Sequence, residues 1–322
     1  MRIESDLKPL VLVALGGHAF MKQGQPATFE VHVQNAQNIC RTLAGLVSVG
    51  YNVVITHGNG PQVGNLLLLN ESGDMTLPKM PLDVLVAQTE GSLGYFLQQA
   101  MINELRSQGS KTYVMTVISQ VSVDPDDPAF TAPSKPVGPF LSLEEAERRR
   151  TELGWQIAED ANGRGWRRLV PSPVPKKVVQ WRMIRESAAS GHIVIACGGG
   201  GIPVIKGNDD AFHGVEAVID KDLTSSILGT QIGAEILVIL TEVPNIFTDF
   251  NTPEQLPIRA ITIDELQRLQ KQGQFPKGSM GPKVTAAVSF LLNGGKRAIV
   301  TNPENLTQAL AGRAGTHIIG AC

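Results

Sequence analysis

The sequence predicts an α/β protein: an open, mostly parallel central sheet sandwiched by helices, with a protruding subdomain. Three observations predict it. Continuous apolar runs stop abruptly at glycine turns, as strands buried on both faces do. Segments of helical length follow those turns, so that strand, glycine turn and helix recur in order. One stretch, 122–175, breaks the alternation with prolines at 125, 128, 133, 136, 139, 171, 173 and 175. A segment that long without regular elements belongs to a functional lobe or lid, and Trp155 and Trp166 weigh against a disordered linker.

Residues 10–15, an unbroken Leu/Val/Ala run, form the first strand, stopped by Gly16 and Gly17. Residues 28–49 have helical length, with Val31, Ile39, Leu43 and Leu46 among the apolar positions, and Gly50 ends them. A second strand at 52–56 runs into the turn 57–64 and a helix. A long helix covers 81–107 and a third strand 111–118. Within the lobe, 144–150 is a charged helix. Alternation resumes with a helix at 176–190, a strand at 192–196 and a glycine turn at 197–203. Residues 217–222 lead into a helix at 223–232, and the strand 234–240 opens on Thr241, Glu242, Val243 and Pro244. Residues 256–272 read mainly as helix, and strands at 298–300 and 317–319 close the sheet. No repeat of 20 to 50 residues is present. One domain spanning 1–322, with the subdomain 122–175 inserted in it, is expected.

Composition narrows the function. Hydrophobic residues make up 42% and charged residues 18% of the 322, with a formal net charge of -2. Nothing in that balance favours nucleic acid or an anionic membrane, and small-molecule chemistry is the expectation. Cys40, Cys197 and Cys322 stand far apart with no CxxC, which suggests neither a disulfide framework nor a zinc site. Residues 1–9 lack the apolar core of a signal peptide, and no run has the length of a membrane span, so a cytoplasmic protein is expected.

Four glycine turns, at 16–17, 58–64, 198–201 and 278–281, follow strands or open helices. That edge of an open α/β sheet is where ligands bind. A single such turn is most often only a tight connection; the combination argues for a phosphate-handling edge. No GxxxxGK[ST] is present, because Gly295-Lys296 is followed by Arg297, so a P-loop is excluded. Gly58, Gly60 and Gly64 are spaced one residue too widely for GxGxxG, and the acidic residue a dinucleotide fold needs about twenty positions on is replaced by a neutral stretch around Leu77 and Pro78.

Phosphoryl transfer needs positioning and positive charge more than covalent chemistry, and the run 278–283 delivers Lys283 to a helix start, where an anion is already favoured. Lys221 lies between Asp220 and Asp222, carboxylates that can hold its ammonium charged and aimed. A solvated lysine on a capped helix is the ordinary alternative. Lys135 reads as a loop charge, and His18 and His57 as hydrogen-bonded structural residues after strands.

Taken together, LGG at 15–17, HGNGPQVG at 57–64, SKPVGPF at 134–140, GGGGIP at 198–203, VIDKD at 218–222 and GSMGPK at 278–283 resemble the carbamate kinases of the amino acid kinase superfamily. The match runs in order over nearly the whole chain. Acetylglutamate and glutamate kinases would carry a lysine near Ala14, which is absent; in carbamate kinases Lys221 is thought to supply that charge. The resemblance implies an amino acid kinase-like fold and reversible phosphoryl transfer between ATP and carbamate, with arginine metabolism as the setting. It implies that Gly16, Gly17, His18, Gly58, Asn59 and Gly60 surround the phosphoryl group and carbamate. Lys221 and Lys283 would neutralise phosphoryl oxygens, Asp222 would orient both, and Lys135 would reach the carbamate side. The nucleotide would lie along Gly199, Gly200, Gly201 and Ile202, with Thr241, Val243, Met280 and Lys283. Mg²⁺ is implied, held mainly by nucleotide phosphates rather than by protein ligands, and so is a homodimer. The pattern departs at His18, where the family usually has asparagine, and at Asn162, which lengthens a lobe loop. A bulkier, titratable imidazole at 18 bears on acceptor choice and competence. That leaves two alternatives open: a paralogue acting on another small carboxylate or carbamate, and a non-catalytic sensor of nucleotide or carbamoyl phosphate.

Overall fold

The structure is a computed structural model that describes residues 8–320 apart from 17, 18, 22, 23, 27, 73–76, 161, 162 and 277. Gly17, His18 and Asn162 therefore lie outside the described residues. In chain order the elements are β1 (Leu10–Leu15), α1 (Phe29–Ser48), β2 (Asn52–His57), α2 (Gly60–Ser72), α3 (Leu82–Ser107), β3 (Val114–Val117), β4 (Gln120–Val123), β5 (Lys135–Leu141), α4 (Leu143–Leu153), β6 (Gln156–Glu159), β7 (Trp166–Val170) and β8 (Pro175–Val178). There follow α5 (Trp181–Ala189), β9 (Ile193–Ala196), β10 (Ile202–Lys206), β11 (Phe212–Gly214), α6 (Lys221–Ile232), β12 (Ile236–Leu240), β13 (Ile246–Thr248), β14 (Leu256–Ile258), β15 (Ala260–Thr262), α7 (Ile263–Lys271), α8 (Met280–Leu292), β16 (Arg297–Thr301), α9 (Leu306–Leu310) and β17 (Thr316–Ile319).

An eight-stranded sheet in the order β15-β17-β16-β12-β1-β2-β9-β3 forms the centre. Its pairings are parallel except that of β16 with β17. The apolar run of β1 is buried on both faces, and its period-2 geometry splits it between two cores. Val11, Val13 and Leu15 pack with Ile39 and Leu43 of α1 and Leu93 and Leu97 of α3. Leu12 and Ala14 pack on the other side with Leu228 of α6 and Val284 and Phe290 of α8. Each such side chain contributes about 1.5–3 kcal/mol when fully buried. A one-residue slip would exchange the two sets, so the register Val13 against Ile55 and Val238 is strongly held.

The segment 122–175 is more regular than its prolines predict. Its ends lie in β4 and β8, which pair antiparallel within the four-stranded sheet β11-β10-β4-β8, so the chain leaves and returns through adjacent strands. Between them, β5, β7 and β6 form a three-stranded sheet covered by α4. Pro136 and Pro139 sit in β5, an edge strand, where a missing N–H costs no ladder bond. This small unit buries Leu141, Ala146 and Trp155 against Leu68 of α2.

Two helix expectations are corrected. Residues 256–258 and 260–262 are strands, because Leu256–Ile258 pairs with Ile246–Thr248; α7 starts only where the Thr262 hydroxyl and Glu265 form a capping box. At 175–178 the chain is likewise a strand, β8, and α5 starts at Trp181. In the opposite sense α6 starts at Lys221, two residues earlier than expected, because the Asp220 carboxylate accepts the amides of Asp222 (2.9 Å) and Leu223 (3.3 Å).

Candidate active site

The strand ends carry the site. Gly16 ends β1 with its Cα so near Leu240 that an added Cβ would stand 3.1 Å from that carbonyl oxygen. The amide of Gly58 donates to the Leu15 carbonyl (3.2 Å), which sets the end of β2 beside the end of β1. Asn59 is buried, donates from Nδ2 to Thr89 Oγ1 (2.8 Å), and accepts at its carbonyl from Val63 as α2 begins with Gly60. His57 is fully buried, with Nδ1 3.1 Å from the Gly58 carbonyl. Burial, reinforced by the charge of Lys221, pushes it down to about 4, so the ring is neutral near pH 7.

Helices α6 and α8 cross at Gly229 against the Phe290 ring, where a Cβ would meet ring carbon at 2.9 Å. That close approach brings their N-terminal lysines together. Asp222, 2% exposed, accepts from the ammonium groups of both Lys221 and Lys283, the latter at 3.1 Å. Lys283 also donates to the Ser279 carbonyl (3.3 Å). Burial works to raise the Asp222 carboxyl, but the two ammonium groups outweigh it and hold the group well below the usual carboxylate range. Burial lowers Lys221 against the pull of Asp222. Lys283 also loses solvation, yet Asp222, Asp220 and Glu242 raise it above the usual lysine value. Lys135, at the start of β5, donates to the Ile219 carbonyl (2.8 Å) and stands 3.9 Å from Asp220; burial lowers it. A lysine of the small sheet thus reaches the residue just before the α6 cap.

A cavity of about 530 Å³ opens beside this cluster. Gly16, Lys221 and Lys283 line it, together with Thr241, Val243 and Met280. Its remaining walls include Phe247, Phe250, Phe275 and Pro276, with Glu304 at the start of the last helical stretch. One cavity therefore joins two ammonium groups to an aromatic, apolar surface. Residues 199–202, the expected nucleotide path, do not line this cavity. Gly199 and Gly200 are buried at positive φ and packed against other loops: a Cβ would stand 2.2 Å from the Asn59 amide nitrogen at Gly199 and 2.4 Å from the Ile219 carbonyl oxygen at Gly200. Gly201 packs in the same way on Val121.

Two groups of residues escaped the sequence reading. Phe247 and Phe250 carry a faint signal, two aromatics just past the Thr241 turn. Glu90 carries a clearer one, an acid inside the buried face of α3 formed by Leu82, Leu85, Val86, Thr89 and Leu93. Among the described residues no three His, Cys, Asp or Glu side chains are arranged to hold a metal, and none of their helices is long and apolar enough to cross a membrane.

The profile of the amino acid kinase family matches residues 9–302. The chain belongs to that family. Within it the chain groups with the carbamate kinases. The carbamate kinase of Pyrococcus horikoshii is 46% identical over 310 residues, covering 96% of this chain and 98% of its own. That of Trichomonas vaginalis is 44% identical over 315 residues, covering 96% and 99%. The solved carbamate kinase from Giardia lamblia bound to AMP-PNP has a TM-score of 0.90 at 38% identity, over 98% of this chain and 99% of that one. The mostly parallel α/β sheet expected from strand and turn order, and the amino acid kinase fold implied by the resemblance, are the fold observed.

Proposed function

We propose that the protein is a carbamate kinase, an ATP-dependent phosphotransferase that interconverts carbamoyl phosphate plus ADP with ATP plus carbamate. The observation that carries this reading is the convergence of Lys221 and Lys283 on Asp222 beside a cavity whose other walls include the aromatic, apolar surface of Phe247, Phe250, Phe275 and Met280. The nucleotide base suits the Phe247, Phe250 and Met280 surface, and its phosphates suit the lysines. In the ATP-forming direction an ADP β-phosphate oxygen attacks the phosphorus of carbamoyl phosphate. The bond from phosphorus to the carbamate oxygen breaks, and carbamate leaves with that electron pair. Lys221 and Lys283 offset charge on the transferring oxygens, where fixed donors aimed at developing charge act most strongly. Asp222 holds both ammonium groups charged and in place. On this reading Gly16 and the amide of Gly60 serve an equatorial oxygen, the amide of Gly58 being committed to the Leu15 carbonyl, and Lys135 serves the carbamate side.

Both Asp222 oxygens are committed to lysines, and Asp220 accepts the α6 amides. This donor set fits Mg²⁺ only as a counter-ion carried on the nucleotide phosphates, a coordination common for that ion. Bound there it neutralises phosphate charge. A cytoplasmic homodimer working in arginine breakdown, making ATP, completes the proposal, in keeping with the family resemblance.

Incubating the protein with carbamoyl phosphate, ADP and Mg²⁺ and following ATP by luminescence tests the activity. ATP should form, and Lys283→Ala should slow it about 10²–10³-fold, the usual effect of losing one transition-state donor. Equal rates in both proteins, or no ATP from either, would end the reading.

A further inference from the structure

Glu90 is fully buried in the middle of α3, yet it touches neither the cavity nor the lysines. Its two oxygens are both occupied. Oε1 accepts the amide of Gly198 (2.9 Å) and Oε2 that of Ser119 (3.0 Å). Burying a carboxyl group is costly unless its hydrogen bonds are made, so a helix face otherwise lined by leucine and valine keeps an acid here for some gain. The gain lies in what the two amides belong to. Gly198 opens the turn 198–201, whose backbone is anchored again by the amide of Cys197 on Ser119 Oγ (2.9 Å) and that of Ile202 on the Ser119 carbonyl (2.8 Å).

That turn contacts both halves of the proposed phosphoryl site. On one side Gly199 packs on the Asn59 amide, whose Nδ2 is tied to Thr89, the residue preceding Glu90. On the other, the Gly200 carbonyl accepts the hydroxyl of Thr224 in the first turn of α6 (2.8 Å), and Gly200 lies against the Ile219 carbonyl that receives Lys135. Side chains larger than hydrogen fit at neither glycine, so a shift of the turn passes directly to its neighbours. The turn is a rigid spacer between the loop at 58–60 and the helix that begins with Lys221 and Asp222.

We propose that Glu90 is a positioning residue for phosphoryl transfer, acting through the turn 198–201 to set Asn59 and the start of α6 at their working separation. The inference rests on the carbamate kinase reading for its kinetic test. Glu90→Gln preserves size but sets an NH₂ donor against one backbone donor. Misplacement of catalytic groups by an ångström costs on the order of a hundred-fold in rate. The kcat for ATP formation should fall about ten- to a hundred-fold while KM for ADP stays within about two-fold, since the nucleotide walls are built from other elements. Thr224→Val cuts the same path at its far end. In the double variant the loss in kcat should be smaller than the product of the single losses, as for residues acting through one shared structure.

Amide exchange on peptides covering 57–62, 197–202 and 219–224 supplies a readout that needs no turnover. It should be faster in Glu90→Gln than in the parent. An inactive parent with accelerated exchange in the variant would remove the carbamate kinase reading and leave the positioning role. If exchange in those peptides is unchanged, or kcat and KM are both unaltered, or the kcat losses multiply, the proposal is overturned. If Glu90→Gln does not fold, Thr224→Val alone decides, through a selective loss in kcat and faster exchange at 197–202; the absence of either change would overturn the proposal.

Discussion

Asp222 lies between two ammonium groups and hydrogen-bonds both, so its substitution separates charge from shape. Asp222→Asn keeps the side-chain volume but leaves Lys221 and Lys283 facing each other without a carboxylate. Breaking a buried ion pair by removing one partner costs about 3–5 kcal/mol, and urea unfolding of the variant should show a loss of that order, with kcat reduced as well. A variant as stable as the parent would mean that solvent or an unseen ion shares the load. Lys221 and Lys283 were legible from residue order, Lys221 between two carboxylates at a helix start and Lys283 behind a glycine turn at another, whereas the part of Asp222 in orienting both lysines came from the family resemblance. Glu90 and Phe247 were not. Their meaning depends on which distant backbone they meet: the amides of Ser119 and Gly198 for the acid, and the cavity beside α8 for the ring.

At the level of elements, α2 and β5 meet at two glycines. A Cβ at Gly64 would fall 1.9 Å from the Gly138 Cα, an overlap with backbone that a rotamer change cannot relieve. Glu71 of α2 reinforces the contact by accepting from Trp155 Nε1 (3.0 Å) and Arg168 (2.6 Å). Gly64→Ala should therefore force the β5-β7-β6 sheet off α2 and carry Lys135 away from Ile219. Steady-state kinetics should show KM for carbamoyl phosphate rising by about ten-fold or more, the scale of losing a charged contact, with KM for ADP little changed. Equal effects on both substrates would place the disturbance elsewhere. Strands and helices of the central sheet were readable because burial on both faces leaves unbroken apolar runs. The lobe and 256–262 were less so: β5 is a proline-containing edge strand, and β14 and β15 are three-residue strands, the first paired with an equally short β13 and the second with β17, which is remote in sequence. Length and periodicity cannot distinguish such pieces from loop or helix.

Across the whole molecule the buried ionisable groups define a stability profile. Asp222 is held below its ordinary value, so its contribution is present above about pH 4 and lost on acidification below it. His57, pushed down from 6.5 to about 4, acts in the same sense: between those values the unfolded chain binds a proton that the buried ring refuses. Glu90, pushed up from 4.5 to about 8 by burial against its amide bonds, acts at the other end. The native state keeps a proton the unfolded chain has lost, so stability falls as pH rises from 4.5 through 8. Urea midpoints of the parent should drop relative to Glu90→Gln across that window, and a pH-independent difference would contradict the assignment. The central claim is that Lys221 and Lys283 act on the moving phosphoryl group rather than only on nucleotide affinity. Phosphorus-31 NMR of carbamoyl phosphate, ADP and Mg²⁺ with the parent, Lys221→Ala and Lys283→Ala, alongside calorimetric titration of ADP, tests it most directly. The parent should convert carbamoyl phosphate to the γ-phosphate of ATP, and each variant should lose about 10²-fold or more in that rate while ADP affinity changes far less. Losses in rate matched by equal losses in ADP affinity, or binding of ADP by the parent with no transfer, would contradict the account.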